Sequence, residues 1–196
     1  MMLNIHRMQH IHFFGYGSLV NRTTHDHSPT HRATLHGWRR AWRAVPERAL
    51  CYLTAVRDPN ASIDGLIAPV PGDSWAELDR REAAYDRHPA THALTHTSPA
   101  QEVVVYAIDP ARHSHPGPDN PILLSYLDVV IAGYLAEYGP DGPDQFFGTT
   151  DGWQAPILDD RAAPRYARAR ALTTGVRDIT DAGLLAMACR VITSED

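Results

Sequence analysis

A mixed α+β fold, a sheet or barrel with helices packed on it, is what this sequence predicts. Three observations lead there. Short apolar runs broken by turn residues fill the chain from Ile11 to Ile108, while the strongest helical periodicity comes after Asn120. At 196 residues the chain is long enough for one well-buried core. No internal repeat and no clear linker divides it, so 1–196 reads as a single domain, with 139–196 an extension of its core.

The first strand is Ile11 to Gly15. His31 to Val45 and Leu50 to Val56 read as strands around a turn at Pro46-Glu47. Trp38 and Trp42 share strand parity and therefore a face. Asp58-Pro59-Asn60 predicts a turn, and Ile63 to Val70 the next strand. Ser74 to Tyr85 reads as an amphipathic helix after the breaker pair Pro71-Gly72, with Ser74 and Glu77 spaced for a capping box. Glu77 and Arg81 are spaced for an i,i+4 pair. Val103 to Ile108 is a further strand, with Val103, Val105 and Ala107 on one face and Val104, Tyr106 and Ile108 on the other. Asp109 to Asn120 is a loop. Asn120 can cap a helix with Pro121 in its first turn. That helix carries an apolar stripe from Leu123 to Tyr138, and Gly139-Pro140 stops it. Thr180 to Val191 reads as a last helix.

Hydrophobic residues make up 43% and charged residues 21%, the balance of an ordinary soluble globular protein. The net charge of −5 speaks against general nucleic-acid binding, which needs a basic footprint. No apolar stretch approaches membrane-spanning length. Met1 to His10 is polar and histidine-rich and has no apolar signal region. Two cysteines, Cys51 and Cys189, make no disulfide framework and read as reduced residues of a cytoplasmic protein. Twelve histidines invite a metal reading through His10 and His12, His25 and His27, or His88, His92 and His96. The last trio has i,i+4 spacing, but His88-Pro89 and the run Thr95 to Pro99 oppose a helix there, so no metal site is assigned. The sequence carries no signal for oligomeric state.

Two segments carry chemistry. Phe13-Phe14-Gly15-Tyr16-Gly17-Ser18-Leu19 ends a strand in a glycine-framed turn. Without side chains in the way, such a turn brings backbone N–H groups close to a ligand. It is equally compatible with a plain strand-to-loop turn. In the second segment, Glu82 falls on the helical face of Trp75, Leu78 and Tyr85. A carboxylate in an apolar stripe is costly unless paired or given a task. Glu82 either pairs with an arginine at the edge of the stripe or serves as a general acid/base. Ser18 is not a hydrolase nucleophile of the Gly-x-Ser-x-Gly type, because Val20 stands where the second glycine would be.

Together, Tyr16-Gly17-Ser18-Leu19 and Leu78-Asp79-Arg80-Arg81-Glu82 resemble the γ-glutamylcyclotransferase superfamily. Gly37-Trp38-Arg39-Arg40-Ala41-Trp42 looks like its second strand. Ser125-Tyr126-Leu127-Asp128-Val129-Val130 looks like its late helix, whose tyrosine lines the pocket. The resemblance spans roughly Ile11 to Tyr138. It implies an α+β, γ-glutamylcyclotransferase-like mixed β-barrel flanked by helices, a small-molecule γ-glutamyl substrate, and no metal or organic cofactor. It assigns catalysis to Glu82 and substrate binding to Tyr16, Gly17, Ser18, Leu19 and Tyr126. The implied reaction is attack of a γ-glutamyl α-amine on its own γ-carbonyl, releasing 5-oxoproline and an amine. The phrase Phe14 to Leu19 is most similar to the ChaC-type, glutathione-cleaving branch. Ala83 departs from the glycine that often follows the glutamate, and the tail after Gly139 is longer than the minimal core, which leaves the substrate open. Trp153 and Arg161 are the tail residues expected to contact it. A non-catalytic binding module of the same fold and removal of a γ-glutamyl protecting group in natural-product assembly are the alternatives.

Overall fold

The computed structural model describes residues 11–46, 48–70 and 74–193, apart from the side chain of Arg81. The histidine-rich start through His10, Glu47 of the first turn, the Pro71-Gly72 breaker and the Arg81 end of the Glu77–Arg81 pair lie outside them.

Strand β1 (Ile11–Gly15) lies between β3 (Cys51–Pro69), antiparallel, and β6 (Glu102–Ala107), parallel. Long β2 (His31–Ala44) pairs antiparallel with β3 and with short β5 (Leu94–His96). With β4 (Asp86–Pro89) the order is β4-β6-β1-β3-β2-β5, and β8 (Thr150–Asp151) adds in parallel to β2. Both faces of this mixed sheet are covered. Phe14 enters the main core, whereas Phe13 packs with Trp75 and Leu78 of α1 (Trp75–Arg81) on the other side. Double burial is why β1 reads as an unbroken apolar run rather than an alternating one. The faces of β6 separate as their parity predicts, with Val103, Val105 and Ala107 in the main core and Tyr106 in the α1 cluster.

The sheet curls into a half-barrel at a bulge. Trp38 is paired with Arg57 and His36 with Ser62, so Gly37 alone faces Asp58 to Ala61. Gly37 adopts φ 77°, which a side chain resists. The expected Asp58-Pro59-Asn60 turn is therefore an excursion inside one continuous strand, closed by Asn60 N donating to Asp58 Oδ1 at 3.0 Å. Unequal strand lengths bend the pair sharply. The first half of β3 then returns over the sheet, and Thr54 Oγ1 accepts from Ile108 N at 2.8 Å, just beyond the end of β6.

A short β7 (Ile122–Leu123) precedes helix α2 (Leu124–Tyr138). It joins β9 (Ile157–Leu158) and β10 (Val191–Ile192) in a parallel three-stranded sheet. That pairing corrects the expected Asn120 cap. The helix starts after Leu123, and Asn120 Oδ1 instead accepts from Gly117 N at 3.4 Å. Asp160 from the tail takes over the helix N-terminus, its Oδ1 accepting from Ser125 N at 2.8 Å and its Oδ2 from Ser125 Oγ at 2.6 Å. Gly139, at φ 75°, ends α2 as expected. Helix α3 (Gly142–Gly148) had no sequence forecast, and the last helix, α4 (Thr174–Ala186), replaces the expected Thr180 to Val191.

Candidate active site

The Tyr16–Leu19 turn follows β1 directly and is held by one face of α2. Tyr134 Oη lies within hydrogen-bond distance of the carbonyls of Tyr16 (2.9 Å) and Asp64 (2.7 Å). Tyr134 Oη also accepts from the buried Arg40 guanidinium at 2.9 Å. One turn away, Asn21 Nδ2 donates to Val129 O at 2.9 Å. Arg22 clasps Glu137 through two N–H···O contacts of 2.5 and 3.0 Å. Gly133 permits this close approach: a Cβ there would stand 2.5 Å from Asn21 N. Tyr126, Val129, Gly133, Tyr134 and Glu137 follow helical spacing, so a single helix fixes the turn at several points. Among the described residues, Arg40 makes no salt bridge. Its charge is held by Thr150 Oγ1 at 3.1 Å, Asp64 O at 3.0 Å and the rings of Tyr134 and Phe146.

Ser18–Val20 form a single 3-10 turn, closed by Val20 N donating to Gly17 O at 3.0 Å. The first amides of such a turn have no acceptor within it, which makes this end favourable for an anion. Gly17 touches Tyr126: a Cβ at position 17 would meet the Tyr126 hydroxyl at 2.5 Å.

Glu82 arrives by a different route from the one its spacing predicts. Helix α1 ends at Arg81, and Glu82 is its C-terminal capping residue, with Glu82 N donating to Leu78 O at 2.8 Å. Tyr85 N then donates to Glu82 O at 2.8 Å, and the turn leads into β4. Since Asp86 of β4 pairs with Ala107 of β6, this turn lies beside the end of β6. The capping box is altered too: Ser74 Oγ donates to Glu77 Oε2 at 3.1 Å rather than accepting from a backbone amide.

These elements enclose a cavity of about 100 Å3 lined by Tyr16, Gly17, Ser18, Leu19, Glu82 and Tyr126. Phe13, Phe14, Gly15, Leu53, Tyr85 and Tyr106 complete its wall. Of these, Tyr85 shares the apolar stripe that the sequence gives Glu82, whereas Leu53 has no role in a motif and only convergence in space reveals it. Tyr16 Oη donates to Tyr106 O at 2.7 Å, Tyr85 Oη to Leu53 O at 2.9 Å and Tyr106 Oη to Asp79 Oδ1 at 2.7 Å. Burial pushes the phenols of Tyr16, Tyr85 and Tyr126 well above their ordinary range. All three are neutral hydroxyls at physiological pH.

A second cavity, of about 450 Å3, adjoins the first and shares Ser18, Leu53, Glu82, Tyr85 and Tyr126 with it. Trp42, Tyr52, Tyr166, Arg165 and Arg168 line its far side. The expected tail contacts, Trp153 and Arg161, line neither cavity. Trp153 is buried among Trp42, Phe146 and Phe147. Arg161 is held by Asp128 through Nε and Nη2, both at 2.8 Å, and by Asp181. Both residues are consumed by packing.

Cys51 and Cys189 are free thiols. Burial pushes Cys51 up to about 12 and Cys189 up to about 11, so neither is a ready nucleophile. Among the described residues, no group of three or more His, Cys, Asp or Glu side chains is placed to hold a metal ion. Residues 86–96 run as strand, 3-10 turn and strand, which removes the helical spacing of His88, His92 and His96. No helix of the described residues is long and apolar enough to cross a membrane.

No curated protein matches the chain. A solved structure titled "Gamma-glutamyl cyclotransferase" superposes with a TM-score of 0.51 at 14% identity, covering 88% of this chain and 98% of that one. The uncharacterized protein loc79017 from Homo sapiens gives 0.51 at 14%, over 87% of this chain and 97% of that one. YkqA from Bacillus subtilis gives 0.53 at 13%, over 72% of this chain and 56% of that one. At such identities these likenesses establish the half-barrel fold. The family described as "Gamma-glutamyl cyclotransferase, AIG2-like" matches residues 13–124, more than half of the chain, and the chain belongs to that family.

Proposed function

We propose that this protein is a cyclotransferase that cleaves a γ-glutamyl amide into 5-oxoproline and a free amine, with Glu82 as its acid/base. The observation that carries the reading is that Glu82 and the Tyr16–Leu19 turn, far apart in sequence, line one small cavity. At about 100 Å3 that cavity is the smaller of the two that meet at Glu82.

The substrate supplies its own nucleophile. Its α-amine attacks its γ-carbonyl carbon, a new C–N bond closes the five-membered ring, and the old amide C–N bond breaks. Glu82 takes a proton from the attacking nitrogen and gives one to the departing nitrogen, so the carboxylate is regenerated. Amides of the turn receive the α-carboxylate and the developing oxyanion. Neutral hydroxyls of Tyr16, Tyr85 and Tyr126 add polarity without a competing charge. A tight wall also holds the substrate in its cyclised shape, which lowers the entropic part of the barrier.

The finer assignment is to the glutathione-cleaving branch, on the phrase Phe14 to Leu19. The deciding experiment incubates the purified protein with glutathione, γ-glutamyl-alanine and γ-glutamyl amines and quantifies 5-oxoproline. Release from at least one of them is expected, with glutathione ahead of γ-glutamyl-alanine in kcat/KM. Binding without any 5-oxoproline would favour the non-catalytic module, and a preference for γ-glutamyl-alanine would remove the branch assignment.

A further inference from the structure

The cavity of about 450 Å3 beyond Glu82 is lined on one side by residues of the family match, which ends at residue 124, and on the other by Tyr126 and a tail segment outside it. Its far side is the tail segment from Arg165 to Arg168. This segment is pinned. Arg165 N donates to Asp160 Oδ2 at 2.8 Å, and Tyr166 N to Ser125 Oγ at 3.3 Å. Asp160 is buried and bound to the first turn of α2, next to Tyr126. The wall between the two cavities is aromatic. The Tyr126 ring meets Tyr166 edge-on at 4.9 Å and Trp42 at 5.9 Å. Arg165 and Arg168 flank that wall, and among the described residues neither guanidinium makes a salt bridge. Apart from Glu82, the described residues of the lining hold no carboxylate.

We propose that this cavity is the subsite for the amine half of the substrate and that it selects amines bearing a carboxylate, received by Arg165 and Arg168, next to an apolar or aromatic body packed on Tyr126 and Tyr166. The inference rests on the cyclotransferase reading. With the glutamyl group in the smaller cavity and the scissile nitrogen at Glu82, whatever is attached to that nitrogen extends into the larger one. Two guanidinium groups that make no salt bridge among the described residues favour a planar anion there. The aromatic rings favour an apolar side chain over a second charge.

The test uses two ligands that differ only in the carboxylate, γ-glutamyl-phenylalanine and γ-glutamyl-phenethylamine. Their kcat/KM values are compared by 5-oxoproline release, and their affinities by calorimetry. Wild type is expected to favour the carboxylate-bearing ligand by about tenfold, in line with one hydrogen-bonded charge contact. In Arg165→Gln/Arg168→Gln the two ligands are expected to come within about twofold of each other. A general loss of fold lowers both values and leaves their ratio alone, so the ratio isolates the subsite. Equal handling in wild type overturns the proposal, as does a preference that survives in the double variant. Equal release of 5-oxoproline from both ligands removes the subsite and keeps the cyclotransferase reading. A binding preference that the double variant abolishes, without 5-oxoproline from any γ-glutamyl amide, removes that reading and keeps the subsite. Binding of neither ligand removes the proposal.

Discussion

The two cavities that meet at Glu82 are built on opposite principles. The smaller is walled by a backbone turn, four tyrosines and apolar side chains, and its turn is fixed by α2 through Tyr134, Asn21 and the Arg22–Glu137 pair. Among the described residues, Glu82 is the one carboxyl group in its wall. The larger is more than four times the volume and takes its charge from a tail that runs back past the start of α2. A tight neutral wall discriminates by shape, because an added or missing atom has nowhere to go. A roomier basic wall discriminates by charge. One protein can thus hold the reacting half of a substrate rigidly while its tail chooses the departing half.

Glu82 belongs to both cavities, so its loss should override the contrast altogether. Glu82→Gln keeps size and shape while removing the proton shuttle. The expected outcome is normal folding by circular dichroism and a fall in kcat on the order of 100-fold or more for every γ-glutamyl amide. Turnover within a few-fold of wild type would end the acid/base assignment.

The next largest effect starts in the turn of the smaller cavity. Gly17→Ala places a methyl group 2.5 Å from the Tyr126 hydroxyl, so the turn or the ring must shift. Misplacement on this scale costs roughly 10- to 100-fold in kcat/KM. All substrates should suffer alike, because the glutamyl half is common to them. Adding Tyr126→Phe removes the atom in conflict, so the double variant should fall short of the summed losses. A loss confined to one amine half would mean that the cavities are not separate in function.

What the sequence made legible follows the same division. The turn and Glu82 lie in short local motifs, and the strands around them have the periodicity that double burial imposes. The reading failed where distant contacts decide. Tyr85, expected on a helical face with Glu82, lies four residues beyond the end of helix α1 and meets Glu82 in the cavity wall instead. The start of α2 moved from Pro121 to Leu124 because Ile122 and Leu123 pair with β9, and no local pattern announces a two-residue strand. Helix α4 was displaced for a related reason. Its N-terminal capping residue is Thr173, its C-terminal one is Met187, and the chain turns away at Ala188, with φ 53°, where no glycine marks the stop. Gly183, which looks like a weak point in that helix, lets it lie against the Phe147 ring. The tail was the least legible part, since Asp160, Arg165 and Arg168 acquire their roles only through Ser125 and the cavity.

The smallest effect on catalysis is expected at Arg161, one of the two tail residues that the sequence nominates for substrate contact. Its guanidinium forks onto Asp128, which is 1% exposed, and is itself 18% exposed. The pairing pushes the Arg161 guanidinium above its usual range, as expected for a cation whose hydrogen-bonded partner is buried. Removing one member of such a pair strands the other charge. Arg161→Ala should therefore cost about 2 kcal/mol in denaturant unfolding, near the low end for a buried pair because water can reach the vacated side. Replacing both partners, as Arg161→Met/Asp128→Leu, should cost less than Arg161→Ala alone, because no buried charge remains unpaired. The ratio of kcat/KM for γ-glutamyl-phenylalanine over γ-glutamyl-phenethylamine should stay within about twofold of wild type, the margin set by a residue that touches neither cavity. A collapse of that ratio in Arg161→Ala, with stability intact, would place carboxylate recognition at Arg161 and take it away from Arg165 and Arg168.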